Sequence, residues 1–314
     1  MKSQSTLTKA FIYVSAFTGV CWAVAVTCSL LSGEKAFPDT LLAKLEAKIN
    51  AEQEAIADTH NVPAQNIRAV KIEAGSTDVT VTSDSSDRVT SELKGFANKG
   101  TKTEVTVVDG EIAIKVIVPN HMNFQFSTSR GLTIERSLHL RVNIPNSYRG
   151  KVHVDAGSGD VSANALVLNE LEVRAGSGDV DLQNFNSKSV HVKTGSGDIK
   201  LSGKADNFEA QAGSGSVSLS HLEAEQANIL TGSGEITVAD IEAKTVNAKA
   251  GSGDIKIHLG DMKSWTAMAH TGSGDIDGNI PGTEVLKGGH QWSAGQGKNQ
   301  LKIETGSGDI QLEL

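Results

Sequence analysis

Beyond residue 28 the chain has no cysteine: its two, Cys21 and Cys28, both lie in the first apolar segment. The remainder can therefore build neither a disulfide framework nor a cysteine metal site. Proline is scarce, and aromatic residues make up only 4% of the chain, too few for the aromatic sugar platforms of most carbohydrate-gripping enzymes. Positive charge is also short. A net charge of −8 argues against nucleic acid, because affinity there comes mainly from Lys and Arg neutralising phosphates. The 314 residues suffice for one large or two modest domains. Glycine is plentiful, at 32 residues, and it falls at regular intervals in the second half of the chain.

Lys2 and Lys9 precede an uncharged run from Ala10 to Gly33. A membrane-crossing helix needs about 20 apolar residues, so residues 1–33 read as a transmembrane anchor or signal segment, with the span at 10–33. No small-x-small cleavage site follows the run, which favours an uncleaved anchor. The preceding lysines favour a cytoplasmic amino terminus and an exported, extracytoplasmic remainder, periplasmic or at the surface. The alternative is a lipoprotein lipidated at Cys28, but Thr27 departs from the Gly or Ala expected just before that cysteine. Residues 34–64 then read as a helical stalk or cap. Asp39 or Thr40 can cap a helix over 39–58 after Pro38, with Leu41, Leu42, Leu45, Ile49 and Ile56 as its stripe and Pro63 beyond its end.

From residue 151 one phrase recurs. The first Gly of a Gly-Ser-Gly falls at Gly157, Gly176, Gly195, Gly213, Gly232, Gly251, Gly272 and Gly306, in steps of 19, 19, 18, 19, 19, 21 and 34. A degenerate copy, "EAGSTDVTV", starts at Glu73, and a variant, "AGQG", sits at Gly295 inside the long last step. Aligned on the first Gly, apolar columns stand five and three residues before it and four and six after it. Val152, Val154, Val161 and Ala163 are one such set. Alternation at period two is a strand signature, and a single repeat has nothing against which to bury its apolar face. Stacked copies do. The expectation is an all-β, single-stranded β-solenoid with parallel sheets and 19-residue coils. Right-handed winding is expected from the crossover preference.

In this reading each glycine supplies backbone angles that other residues resist. The aspartate that follows hydrogen-bonds nearby backbone NH groups. The structural turn ladder is thus Gly157, Asp160, Gly176, Asp179, Gly195, Asp198, Gly251, Asp254, Gly272, Asp275, Gly306 and Asp309, with Ser216 and Glu235 replacing the aspartate in two coils. The domain runs over 65–314, with an irregular lead-in at 65–150 that includes an Asp-Gly hairpin signal in "VVDGEIAI", and regular coils at 151–314. A loop at about 279–290 interrupts these, and Trp292 and the final strands are expected to close the stack against edge pairing.

The segment "LHLRVNIPNSYRGKVHVDAGSGDV" at 138–161, with the coils after it, resembles the bacterial toastrack or putative-adhesin domain family. The resemblance covers residues 66–314 and is specific for fold rather than function. It implies a strand-rich lead-in and repeated coils behind a membrane segment. It also implies a link to envelope-stress and membrane regulatory systems. The family carries no accepted catalytic residues, so none is transferred.

Three chemistries compete with a pure scaffold. Calcium-binding β-rolls repeat every nine residues with a double glycine, and hard cations want six or more oxygens. A column of single aspartates supplies too few. A polysaccharide-active enzyme would use paired carboxylates, and Asp179/Asp181 and Asp275/Asp277 are such pairs. The repeat generates them automatically, however, and no coil adds a singular acid–base cluster. A histidine metal site fails on distance. His153, Glu172 and His191 share an outward column in consecutive coils, so the two histidines stand about 9.6 Å apart, whereas zinc bonds are about 2 Å. Alternating charge in this column, and in the adjacent one of Asp155, Arg174 and Lys193, fits coil-to-coil pairing instead. The expectation is no catalysis, no cofactor and no metal. The candidate interaction face is His153, Glu172, Arg174, His191 and Lys193, and the partner an envelope protein or cell-surface polymer.

Overall fold

The computed structural model describes residues 53–119, 138–259, 265–279, 286–288, 291–295 and 297–313. The anticipated span at 10–33, Cys28 and the anticipated helix up to residue 52 lie outside these. Among the described residues no helix is long and apolar enough to cross a membrane. Glu54–Leu314 form one compact unit.

All regular structure in the described residues is strand. The lead-in contains β1 (Gln53–Pro63), β2 (Ala69–Gly75), β3 (Asp78–Asp84), β4 (Arg88–Asn98), β5 (Lys102–Val108), β6 (Glu111–Ile117) and β7 (Leu138–Pro145). The coils follow as β8 (Lys151–Ala156), β9 (Val161–Asn164), β10 (Val167–Ala175), β11 (Val180–Thr194), β12 (Ile199–Ala212), β13 (Val217–Thr231), β14 (Ile236–Ala250) and β15 (Ile255–His258). The last strands are β16 (Trp265–Ser273), β17 (Ile276–Asn279), β18 (Leu286–Gly288), β19 (Gln291–Gly295), β20 (Asn299–Ser307) and β21 (Ile310–Glu313).

Residues 53–63 correct one expectation. The helix expected over 39–58 would include residues 53–58, whereas the structure makes 53–63 strand β1, paired with β4. Ile56 is the one buried residue of β1, so hydrogen bonding to a neighbouring strand, rather than an apolar face of its own, holds it in place. Local sequence pattern does not register that support.

The coils stack in parallel, in register except for shifts between Leu182 and Phe185 where β11 meets β12 and between Leu201 and Gly203 where β12 meets β13. Val173 of β10 lies between Val154 of β8 and Val192 of β11, and Ala210, Ile229 and Ala248 continue the same inward column. A second inward column runs Val161, Val180, Ile199, Val217, Ile236 and Ile255 on the other side of the glycine corner. These residues are buried, and each Val or Ile side chain among them taken from water contributes roughly 1.5–3 kcal/mol. Column volumes compensate. Phe208 stacks on Phe185 with ring centroids 6.3 Å apart, and Ala227 stands beside Phe208 in the next coil. Gly203 faces Phe185, where a Cβ would come within 2.4 Å of the Phe185 carbonyl oxygen.

Stacking order departs from chain order at both ends. β20 lies between β14 and β16, and β21 between β15 and β17, parallel to each neighbour. The coil of Gly306 therefore sits between those of Gly251 and Gly272. The "AGQG" variant is no coil corner; it ends β19, which runs antiparallel along β16. At the other end β2 lies between β6 and β8, and β3 between β7 and β9. Antiparallel pairs β4–β7 and β5–β6 complete that end. Asp109 and Gly110 form the β5–β6 turn with φ of 51° and 76°, the left-handed pair that an Asp-Gly hairpin requires.

Candidate interaction surface

The glycine corner is built from backbone. A Cβ on Gly178 would lie 2.0 Å from the Gly159 carbonyl oxygen, and one on Gly176 would lie 2.3 Å from that of Gly157. The same clash recurs from Gly157 to Gly308. Of the Gly-Ser-Gly glycines only Gly274 has a clearly positive φ, at 155°. The expected reason for these glycines is thus corrected: close approach of successive coils demands them, rather than unusual backbone angles.

Aspartate then ties coil to coil. Asp160, Asp179 and Asp198 accept, through Oδ1, the backbone NH of Asp179, Asp198 and Ser216, each at 2.8 Å. Asp78 of the degenerate copy does the same for Asp160 at 3.0 Å. At the far end Asp254 accepts from Asp309 and Asp309 from Asp275, both at 2.9 Å, following spatial order rather than chain order. Inside the corner, Thr194 donates to the Gly178 carbonyl and accepts from the Gly197 NH, both at 3.1 Å. Thr231 repeats this pattern with Gly215 and Gly234.

A second corner went unread in the sequence. Ala165, Asn184, His221 and Asp240 have φ of 52–57°, and Gly203 has φ of 149°. All five stand eight residues after the first Gly of a repeat. Asn, Asp, His and Gly are the residues that best tolerate this region, and that column composition is the signal that could have found it.

The sheet side made by β8, β10, β11, β12, β13, β14 and β20 carries the candidate face. Its outward columns divide into two halves. In the first half the side chains are charged and bonded to one another. His153 contacts Glu172 through Nδ1 at 2.8 Å and Asp155 through Nε2 at 2.7 Å, and Arg174 reaches Glu172 at 2.5 Å. Burial pushes the Glu172 carboxyl up. The hydrogen bond from His153 and the charges of His153 and Arg174 outweigh it, leaving the pKa below the usual carboxylate range. His191 meets Ser189 at 2.8 Å and Glu209 at 3.3 Å. Lys193 lies beside Arg174 in register but has no ion pair among the described residues. The predicted face residues thus share one patch, with most of their charge already satisfied within it.

In the second half the columns become neutral. Asn207, Gln226 and Thr245 continue one column, and Asn228 and Asn247 follow Glu209 in the next. A shallow depression of about 330 Å³ opens where the halves meet, lined by Ser189, His191, Asn207, Glu209, Gln226 and Asn228. Among the described residues no group of three or more His, Cys, Asp or Glu is placed to hold a metal ion.

The sequence profile of the family described as Toastrack DUF4097 matches residues 67–313. The chain belongs to this Toastrack family. The match covers the lead-in and every Gly-Ser-Gly coil. Similar solved structures include the "putative adhesin" of Bacteroides fragilis NCTC 9343, at 17% identity, 82% of this chain, 97% of that one and a TM-score of 0.49. Another is the "putative lipid binding protein" of Parabacteroides distasonis ATCC 8503, at 16% identity, covering 84% and 97%, with a TM-score of 0.44. A third, the "putative cell adhesion protein" of Clostridium sporogenes ATCC 15579, has 14% identity, covers 83% and 99%, and has a TM-score of 0.34. No curated protein matches the chain.

Proposed function

We propose that this Toastrack chain is a non-catalytic interaction platform, held at a bacterial membrane by residues 10–33 with its coils on the extracytoplasmic side. The observation that carries the reading is the sheet side of β8 to β14. There, outward side chains stand in unbroken columns on a backbone tied coil to coil by the Asp160–Asp179–Asp198 hydrogen bonds. A surface of this kind meets an extended partner along many coils with little ordering cost, because the side chains are mounted on a rigid, hydrogen-bonded lattice. The partner class is an envelope protein or a cell-surface polymer.

The test is crosslinking in cells from a photoreactive residue placed at Glu172 or His191, with Ser218, across the glycine corner from that side, as the control. Captured material identified by mass spectrometry from the first side but not from the second supports the platform. Equal labelling from both sides, or none from either, refutes it. Fractionation of the full chain against a variant lacking residues 10–33 tests the tether.

A further inference from the structure

We infer that the neutral half of the candidate face is a binding site for an uncharged glycan strand, with Asn207, Gln226, Asn228 and Asn247 as its hydrogen-bonding groups. The inference rests on the platform reading above and names the ligand class of its polymer form.

Three observations carry it. The first is the array itself. Asn207, Gln226 and Thr245 stand in one outward column, and Asn228 and Asn247 in the column two residues further along the same strands. Neighbours across coils lie about 4.8 Å apart and those along a strand about 7 Å, so the amides form a grid close to the repeat of one pyranose unit. The second is hydrogen-bond state. Asn207, Gln226, Asn228, Thr245 and Asn247 are exposed, and among the described residues the side chains of the four amides make no hydrogen bond. The neighbouring charged half is bonded within itself, as at His153, Glu172 and Arg174. The third is the depression of about 330 Å³ at the start of this half, walled by Asn207, Gln226 and Asn228, which provides an anchor point for a ring.

The ligand class follows from these groups. A primary amide offers a carbonyl acceptor and two NH donors. A field of such groups matches a ligand presenting donors and acceptors alternately, as vicinal hydroxyls do. A polyanion is disfavoured here, because Glu209 borders the site and the cations nearest Asn247, Lys249 two residues along β14 and Lys302 beside it on β20, are both paired with Glu304, at 3.5 and 2.7 Å. A protein partner would look for Trp, Tyr, Met or Arg at the centre of its interface. Here the patch between Asn207 and Asn247 offers half-buried Leu230 alone as an exposed-side apolar group.

The test uses the full chain in lipid nanodiscs, applied to an array of neutral, anionic and cationic oligosaccharides, with chitohexaose and maltohexaose as soluble probes. At least one neutral class should bind. The double variant Gln226→Ala/Asn228→Ala should weaken it about tenfold or more, through loss of several hydrogen bonds. Glu172→Ala should leave it unchanged. All of these positions are outward, and unchanged thermal melting of the variants excludes misfolding. Binding confined to anionic or cationic glycans, no glycan binding, or neutral binding indifferent to the double variant overturns the inference. Crosslinking from Glu172 in cells, repeated in the double variant, separates the two readings. If capture persists while neutral glycans fail to bind, the platform stands and the glycan site falls.

Discussion

The Oδ1 atom of Asp179 accepts the backbone NH of Asp198 at 2.8 Å, while the backbone NH of Asp179 is given to Asp160 Oδ1 at the same distance. Each aspartate is therefore both a rung and a support for the next. Substituting Asp179→Ala leaves the Asp198 NH without this acceptor and is expected to cost about 1–2 kcal/mol. Asp179→Asn keeps a carbonyl acceptor and should cost less than half of that. Urea titration of both variants checks the order. Equal losses would mean that the carboxylate charge, rather than the acceptor, matters.

Gly178 tests close approach. A Cβ there would lie 2.0 Å from the Gly159 carbonyl oxygen. Gly178→Ala must push two coils apart, and a loss of about 3 kcal/mol is expected. Ser177→Ala, at the exposed residue between the two glycines, should change stability by less than about 0.5 kcal/mol.

The second corner predicts a gain. Ala165 is exposed and has φ of 57°, a region that costs an L-residue with a Cβ about 1–2 kcal/mol. Ala165→Gly relieves that strain at some entropic cost in the unfolded chain, for a net stabilisation of roughly 0.5–1 kcal/mol. Thermal melting of this variant beside wild type decides it, and a lower melting temperature would contradict the corner geometry.

Acid sensitivity follows from Glu172. Its folded pKa lies below the unfolded value near 4.5, because His153 and Arg174 outweigh the effect of burial. A depressed carboxylate contributes stability above its unfolded pKa, and that contribution is lost as pH falls through the folded value. Wild type should therefore exceed Glu172→Gln in stability at neutral pH, with the difference shrinking as pH drops below 4.5. Denaturant midpoints for both proteins across that range give the answer. A difference that stays constant in acid would show that Glu172 contributes by packing and not by charge.

The coils were legible because two signals coincide in them: alternation at period two, and glycines at fixed offsets. Even the alternating charges of His153, Glu172 and His191 could be read from the period alone, since outward columns follow once the coil length is known. Three things were not legible, each for a physical reason. Strand β1 takes its conformation from its hydrogen-bonded neighbour, so its own side chains carry little of the evidence. The left-handed corner accepts Ala, Asn, His and Asp at equivalent positions, with Gly203 at φ of 149° in the remaining coil, and this variety hides the backbone angle that the four share. The stacking order is hidden by the repetition itself. Coils with the same corner offer nearly equivalent surfaces, so nothing local says that the coil of Gly306 belongs beside that of Gly251. Asn228 and Asn247 follow Glu209 at the coil period in the sequence, but the contrast of such neutral positions with a self-bonded charged half needs side-chain contacts.

The intercalated coil has a consequence for how the molecule is made. A simple solenoid can grow rung by rung as the chain emerges during synthesis, each turn docking on the one before. Here β20 and β21 must enter between turns that were translated earlier, and they occupy the last fifteen positions of the described chain, 299–313. The finished stack cannot form until residues 299–313 are free. A chain cut before residue 299 loses both interfaces of an interior rung rather than one exposed terminal rung, so the architecture separates chains that carry this segment from chains that lack it.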